Sequence, residues 1–560
     1  MDRPPSIQPR HPHRLWTRAW LLAAPLFVVV AVLAVRHGMG GFGQLQGSTE
    51  AWMLAHVSRV LMIGDYAAAT GVSMIPNTTW NSVYPALVVG LTQLSDAHPT
   101  VVGQAISAGA LGLGVLAMAR CWWSVGGLAP ALAGAAAMLF PPMVISGSMA
   151  RYDSLAVALA LCVGWAVVEA LEGDSLLAWL AAGLLAGLSY NTREFMLAPA
   201  AGGLVVGLIL AGVAARRRDP GQRRPLRLLA MLAVVLGGLA LGIVPLPMAL
   251  GLSPLSGFQA LGSYALHNRF GDPMSLWTVL YLDRFGWAFG VGALGLFVAA
   301  LRPWRQGERR AVLVMLGMLL PFAAFLFSRQ QSPQYYLMAH ALVLSGVAGL
   351  VGLPPWRWAR PLVLVALLWP VAPWATDLIR DGLDPRASTA GRLHTEAWPA
   401  EVGEPGEVMD WAMDHAGGRA LIVVSGMVEN IDALARLEHD RPVAFIFKEW
   451  LDRLDEAVVL CGDQDVLVLS VEGQHQPPND VPGGMRMHRL ETPNLVAELW
   501  VVPGVQAVPT REHPCARGGQ IRGACLQQAW LEGGDEAVRN RAISLHRRYR
   551  GLQGWRSMWW

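Results

Sequence analysis

Lysine is almost absent from this sequence: Lys448 is the sole example, and positive charge is otherwise carried by arginine. Charge of either sign is scarce, at 15% of residues, and a formal net charge of +3 is too small for a chain that must neutralise a phosphate backbone. Nucleic acid is therefore not an expected partner. Cysteine is scarce as well, five in 560 residues, and none stands with histidine at the spacing of a zinc site. After the strand-like runs of the C-terminal part, beyond residue 404, no G-x-G-x-x-G or G-x-x-x-x-G-K-[ST] follows, so a nucleotide site there has no support.

What is abundant is apolar side chain, 54% of the residues. A soluble domain does not sustain that fraction with so little charge. Eleven stretches are long enough to cross a hydrocarbon core of about 30 Å: 16 to 36, 101 to 120, 126 to 146, 153 to 171, 175 to 190, 195 to 214, 227 to 249, 285 to 301, 311 to 327, 336 to 353 and 361 to 377. The first lacks a small-residue cleavage site before Arg36-His37 and reads as an uncleaved anchor; the fifth is short. Arginines cluster at 216 to 227, 302 to 310 and 357 to 360, and with Arg3, Arg10, Arg14 and Arg18 they fall on one side of an eleven-span chain. The positive-inside rule makes that side cytoplasmic, so the first loop, several short turns and everything after residue 378 face outward.

The chain thus divides into a membrane part (1–377), a Pro/Gly/Asp-rich linker (378–404), a soluble part (405–505) and a tail (506–560). In the soluble part apolar runs such as "RALIVVSG", "RPVAFIF", "DVLVLSV" and "AELWVV" alternate with the amphipathic "MVENIDALARLE" and "KEWLDRLDEAVVL". That alternation predicts an α/β domain with a largely parallel sheet. Cys515 and Cys525 flank a Gly-rich loop in the outward tail, where a disulfide persists and would pin the segment; Cys121 and Cys162 read as apolar fillers of the spans.

Polar residues collect in the outward turns. These read "SGSMARYDS", "SYNTREF", "SYALHNRFGDP" and "SRQQSPQYYLMAH", and they set Arg151 beside Asp153, Arg193 beside Glu194, Arg269 near Asp272 and Arg329 beside Gln330. Glu50 opens an amphipathic stretch in the first loop. Each has an ordinary structural explanation: arginines at span ends snorkel to headgroups, Glu50 suits a helix N-terminus with Ser48 or Thr49 as cap, and Tyr335 with Tyr336 suits an interfacial aromatic belt. Repeated Arg and acid turns on the less basic side are more than topology requires.

The order of these segments resembles the GT-C membrane glycosyltransferases of the protein mannosyltransferase, aminoarabinose transferase and RgtA-like type. The resemblance covers about residues 15 to 352 and rests on "STEAWMLAHVSRVLMIGDY" with "WNSVYPAL", "ARYDSLAVALAL", "GLSYNTREFMLAPA" and "QYYLMAHALVLSGVAGL". It implies a polytopic α-helical membrane protein, a polyprenyl-phosphate-sugar donor, a glycan, lipid or protein acceptor, and inverting transfer at the outer face, most simply of a bacterial inner membrane with the C-terminal part in the periplasm. A carboxylate would take the acceptor proton, and arginines would stabilise the leaving phosphate. The family's Asp-Glu pair reads Thr49-Glu50 here. The base is then Glu50, or Asp153, with Asp65 a weaker candidate, or activity has been lost. Arg151, Arg193, Arg269 and Arg329 fall to phosphate or sugar, with Gln334 and Tyr335 behind them. No cofactor is required; a divalent metal beside Glu50 and Asp153 is compatible, though no spacing calls for one. The competing class is a transporter or an envelope-assembly scaffold, which the apolar span centres and the lack of an internal repeat disfavour.

Overall fold

The computed structural model describes most of residues 82–255, then 282–301, 306–325, 336–352, 403–416, 421–425, 443–447 and most of 465–503, with isolated positions elsewhere. Helices dominate the first part: α1 (Val83–Ser95), α2 (Pro99–Gly126), α3 (Leu128–Ala137), α4 (Pro141–Ser148), α5 (Tyr152–Gly173), α6 (Leu176–Thr192), a 3₁₀ turn (Glu194–Met196), α7 (Leu197–Arg218), α8 (Arg223–Ile243), α9 (Pro245–Ala249), α10 (Leu282–Leu301), α11 (Gln306–Leu319), α12 (Phe322–Phe325), α13 (Leu337–Ser345) and α14 (Val347–Val351). Four stretches among the described residues, 101–126, 152–173, 194–215 and 226–249, are long and apolar enough to cross a membrane, and α3 with α4 makes a fifth if that pair is one span. The molecule is an integral membrane protein. Nine of the eleven sequence-predicted spans fall on described helices; apart from the isolated positions Val28, Val32 and Pro361, the stretches 16 to 36 and 361 to 377 lie outside the described residues.

Two expectations change. The stretch 126 to 146 is not one straight span but two helices bent by 71°. Its cause is legible in "LFPPM": a proline inside a helix removes a backbone donor and clashes with the preceding turn, whereas at a helix start it is tolerated, and Pro141 and Pro142 open α4. The stretch 37 to 100, read as a loop, in turn contains α1, whose Tyr84 and Val88 are fully buried.

The central helix, α5, is apolar all round and buried along nearly its whole length, as expected of a helix surrounded by other helices. Only Asp174 and Ser175 separate it from α6. Asp174 adopts the left-handed conformation at φ 55°, and Ser175 caps α6 by accepting from Ala178 N at 3.2 Å. The chain therefore turns back at once, and the start of α5 and the end of α6 come out on the same side of the bundle. Against α6 packs α8, through facing small-residue pairs spaced four apart, Gly183 with Gly187 and Gly238 with Gly242. A Cβ on Gly183 would stand 2.2 Å from Val235 O, and one on Gly238 2.3 Å from Leu180 O. Glycine here permits backbone-to-backbone approach of two apolar helices.

The C-terminal part holds α15 (Gly403–Ala416) and five strands: β1 (Leu421–Ser425), β2 (Val443–Phe447), β3 (Val466–Gly473), β4 (Met485–Glu491) and β5 (Leu495–Val502). Their order is β2-β1-β3-β5-β4. All four strand-like runs of the sequence are strands. The sheet is mixed rather than largely parallel: β1 pairs in parallel with β2 and β3, but β5 is antiparallel to both β3 and β4. The missed strand is β4, "MRMHRLE", whose apolar/polar alternation stops after four residues and which is exposed almost throughout. The two amphipathic segments between strands lie outside the described residues.

A buried ion triad at one end of the bundle

Because α5 leaves and α6 returns, Arg151 at the N-cap of α5 and Arg193 at the C-cap of α6 arrive together. Asp153 stands in the first turn of α5 between them. Its Oδ2 lies 2.8 Å from Arg151 Nη2, and its Oδ1 pairs with Arg193 Nη1. All three side chains are buried, at 5%, 1% and 3% exposure, which is not what headgroup-seeking arginines show. Arg193 is further held between two rings, 4.8 Å from the centre of Tyr152 and 4.6 Å from that of Phe195, a cation–π arrangement that gains strength when desolvated. Glu194, also buried, follows it directly.

Hydrogen bonds fix the backbone on which the triad sits. Ser107 of α2 donates to Arg151 O at 2.8 Å and accepts from Arg151 N at 3.3 Å. Tyr84 of α1 donates to Gly103 O at 2.7 Å and lies 3.0 Å from Ser107 Oγ. On the other side Asn191 donates to Gly242 O and Ile243 O at 2.8 and 2.9 Å, meeting carbonyls that the end of α8 leaves without an intrahelical partner. Those two bonds need the close α6–α8 contact, so the glycine pairs and the triad are mechanically linked. The far end of α5 differs in kind: there Arg120 pairs with Glu169 and Glu172 at 2.7 Å each, Asp174 pairs with Arg227, and Arg310 donates to Leu171 O at 3.2 Å.

Of the site residues expected from sequence, the structure brings Arg151, Asp153 and Arg193 into one cluster. Glu50, Asp65, Arg269, Arg329, Gln334 and Tyr335 lie outside the described residues, as do Cys515 and Cys525. Sequence reading missed Tyr84, Ser107 and Asn191. Only the adjacency of Asn191 to Thr192-Arg193 at the end of an otherwise apolar run signalled the last of them. No group of three or more His, Cys, Asp or Glu able to hold a metal ion occurs among the described residues. An apolar cavity of about 740 Å³ opens between α7, α11, α12 and α13, lined by Val206, Ile209, Leu313, Leu316, Phe322 and Tyr336 among others.

A many-helix membrane bundle with a buried Arg-Asp-Arg cluster at one end defines the class of protein to which this chain can be compared. No family model matches it, and no curated protein matches its sequence. Among solved structures it is similar to ArnT from Cupriavidus metallidurans bound to undecaprenyl phosphate, with a TM-score of 0.55 at 16% identity over 87% of this chain and 98% of that one. The same protein in the apo state gives 0.52 at 16% identity, covering 88% and 100%. A mutant form of the arabinofuranosyltransferase AftD from Mycobacteria gives 0.50 at 14% identity, covering 87% of this chain and 42% of that one. The fold is that of the GT-C membrane glycosyltransferases, as the motifs implied.

Proposed function

We propose that this protein transfers a sugar from a polyprenyl-phosphate donor to an acceptor hydroxyl at the outer face of a bacterial inner membrane, with the N-terminus cytoplasmic and the C-terminal sheet periplasmic. The observation that carries the proposal is the buried Arg151–Asp153–Arg193 triad. Burying three ionised groups costs several kcal/mol per ion unless they are paired, and two guanidiniums around one carboxylate leave those three residues net positive, with Glu194 the next buried carboxylate. Such a cluster suits a leaving group that gains charge. As the acceptor oxygen bonds to the anomeric carbon, the bond from that carbon to the donor phosphate breaks, and a phosphodiester monoanion departs as a monoester dianion. Arg151 and Arg193 are the residues assigned to that phosphate.

Asp153 is assigned a positioning role, since each of its oxygens already faces a guanidinium. The proton of the acceptor hydroxyl then falls to Glu50. Arg269, Arg329, Gln334 and Tyr335 remain candidates for the sugar and phosphate, and the apolar cavity beside Tyr336 has a volume within the range of about 300–1,000 Å³ usual for small-molecule sites, suited to part of the lipid chain. The similarity to an undecaprenyl-phosphate-bound structure supports the donor class. The test is transfer of radiolabelled sugar from short-chain polyprenyl-phosphate donors into envelope extract. Glu50→Gln should lower the rate by about 10²–10⁴-fold, the contribution of a positioned general base, at equal expression. Unchanged transfer would move the base elsewhere, and no transfer by the unsubstituted protein across a donor panel would favour a scaffold.

A further inference from the structure

The sheet carries an irregularity with a chemical consequence. Along β4 and β5 the register runs Met485↔Val501, Arg486↔Trp500, then His488↔Leu499 and Arg489↔Glu498, so Met487 is an extra residue opposite none. Side chains alternate between faces in a strand, and a one-residue bulge reverses the phase of everything beyond it. Arg486 and Arg489 accordingly share one face, and both reach Glu498, at 3.0 and 3.2 Å. His488 is carried to the opposite face. There it meets His415, in the last turn of α15, with ring centres 4.5 Å apart at 57°.

His415 is already oriented. Its Nδ1 lies 2.7 Å from Trp411 O; a carbonyl only accepts, so Nδ1 bears a proton and Nε2 is the nitrogen left to offer a lone pair to a metal. A backbone carbonyl on one imidazole nitrogen, fixing the other for a metal, is the usual support of a histidine ligand. The Trp411 ring, 5.3 Å away, packs beside it. Both histidines are exposed. We propose that His415 and His488 form a two-imidazole site for a divalent transition-metal ion, Cu²⁺ binding more tightly than Ni²⁺ or Zn²⁺. With metal–nitrogen bonds of about 2.0–2.1 Å, two imidazoles on neighbouring positions have ring centres about 4.5 Å apart at a right angle and about 5.2 Å apart in a tetrahedron. The observed ring-centre spacing equals that of a right-angled pair, as on a tetragonal ion. Among the described residues no third His, Cys, Asp or Glu joins the pair; water would complete the coordination, and the ion ties α15 to the edge strand β4. The site is independent of the function assigned to the membrane part.

The test uses the full chain in detergent, purified without a histidine tag, with Cu²⁺ supplied as a weak glycine chelate. Calorimetry should find one more equivalent bound by the unsubstituted protein than by His415→Gln or His488→Gln, and the paramagnetic resonance spectrum at one equivalent should resolve two imidazole nitrogens. Both side chains are exposed, so glutamine leaves the packing intact, and the nitrogen count of the unsubstituted protein tests the site without any variant. Equal binding by all three proteins, a loss confined to one variant, or a single-nitrogen spectrum would each overturn the site and leave only a ring–ring contact.

Discussion

The triad makes a quantitative demand on Asp153→Asn. The amide keeps the size of the carboxylate but removes the one negative charge between two buried guanidiniums. Breaking a buried pair from one side typically costs about 3–5 kcal/mol, because the partner charge stays buried without compensation; with two partners stranded at once the upper part of that range is expected. Arg193→Met removes one stranded charge while still filling the space between Tyr152 and Phe195. The double variant should therefore lose less than the two single losses combined, with a coupling of about 1–3 kcal/mol, the range found for residues in direct contact. Unfolding in mixed micelles, driven by a denaturing detergent and followed by tryptophan fluorescence, provides the four stabilities of the cycle. Losses that add to within about 0.5 kcal/mol, the behaviour of independent sites, would refute the triad as an energetic unit. An Asp153→Asn protein as stable as the original would refute its burial as described.

Three further outcomes follow from the same geometry. Gly238→Leu should push α8 off α6, since even a Cβ there would stand 2.3 Å from Leu180 O; overpacking of this kind costs about 1–3 kcal/mol, and a protein of unchanged stability in the same detergent titration would contradict the packing. Asn191→Ala leaves Gly242 O and Ile243 O without their side-chain donor, at about 1–3 kcal/mol for such buried groups, and Asn191→Asp should be worse because it sets an acceptor against two carbonyls; equal stabilities for the two variants would count against the donor role. Tyr84→Phe should cost only about 0.5–1.5 kcal/mol, a net hydrogen bond, because Ser107 keeps its own bonds to Arg151; a loss above about 3 kcal/mol would mean that Tyr84 anchors more than Gly103 and Ser107.

Much of the helical part was legible because a bilayer imposes one period and one length on whatever crosses it. The boundaries of α5, α6 and α7 lie within a few residues of the apolar runs at 153–171, 175–190 and 195–214. What broke the pattern was local: two prolines bending one run into α3 and α4, and an exposed, charge-rich edge strand, β4, whose alternation is cut short by a bulge. The site was half legible. Arg151, Asp153 and Arg193 stood out as charges in apolar surroundings, but hydropathy does not say whether an arginine at a span end turns outward to headgroups or inward to a carboxylate. Pairing decides that, and pairing between residues forty positions apart is a property of how α5 and α6 fold back, which rests on the two-residue link at Asp174-Ser175.

That link also bears on which acid does what. A carboxylate in the first turn of a helix gains from the partial positive charge of the helix N-terminus, and Asp153 would sit comfortably there with no arginine nearby. Evolution of a site needing a base would favour leaving such a group open to its substrate. Here instead the short turn returns Arg193 onto it, Ser107 holds the backbone of Arg151 from a third helix, and Tyr152 and Phe195 close around the second guanidinium. Three elements thus converge on keeping Asp153 occupied. Under the function proposed above, a group so enclosed holds two cations in place, and the proton-accepting role is proposed for an acid outside the cluster, Glu50 of the Thr49-Glu50 motif.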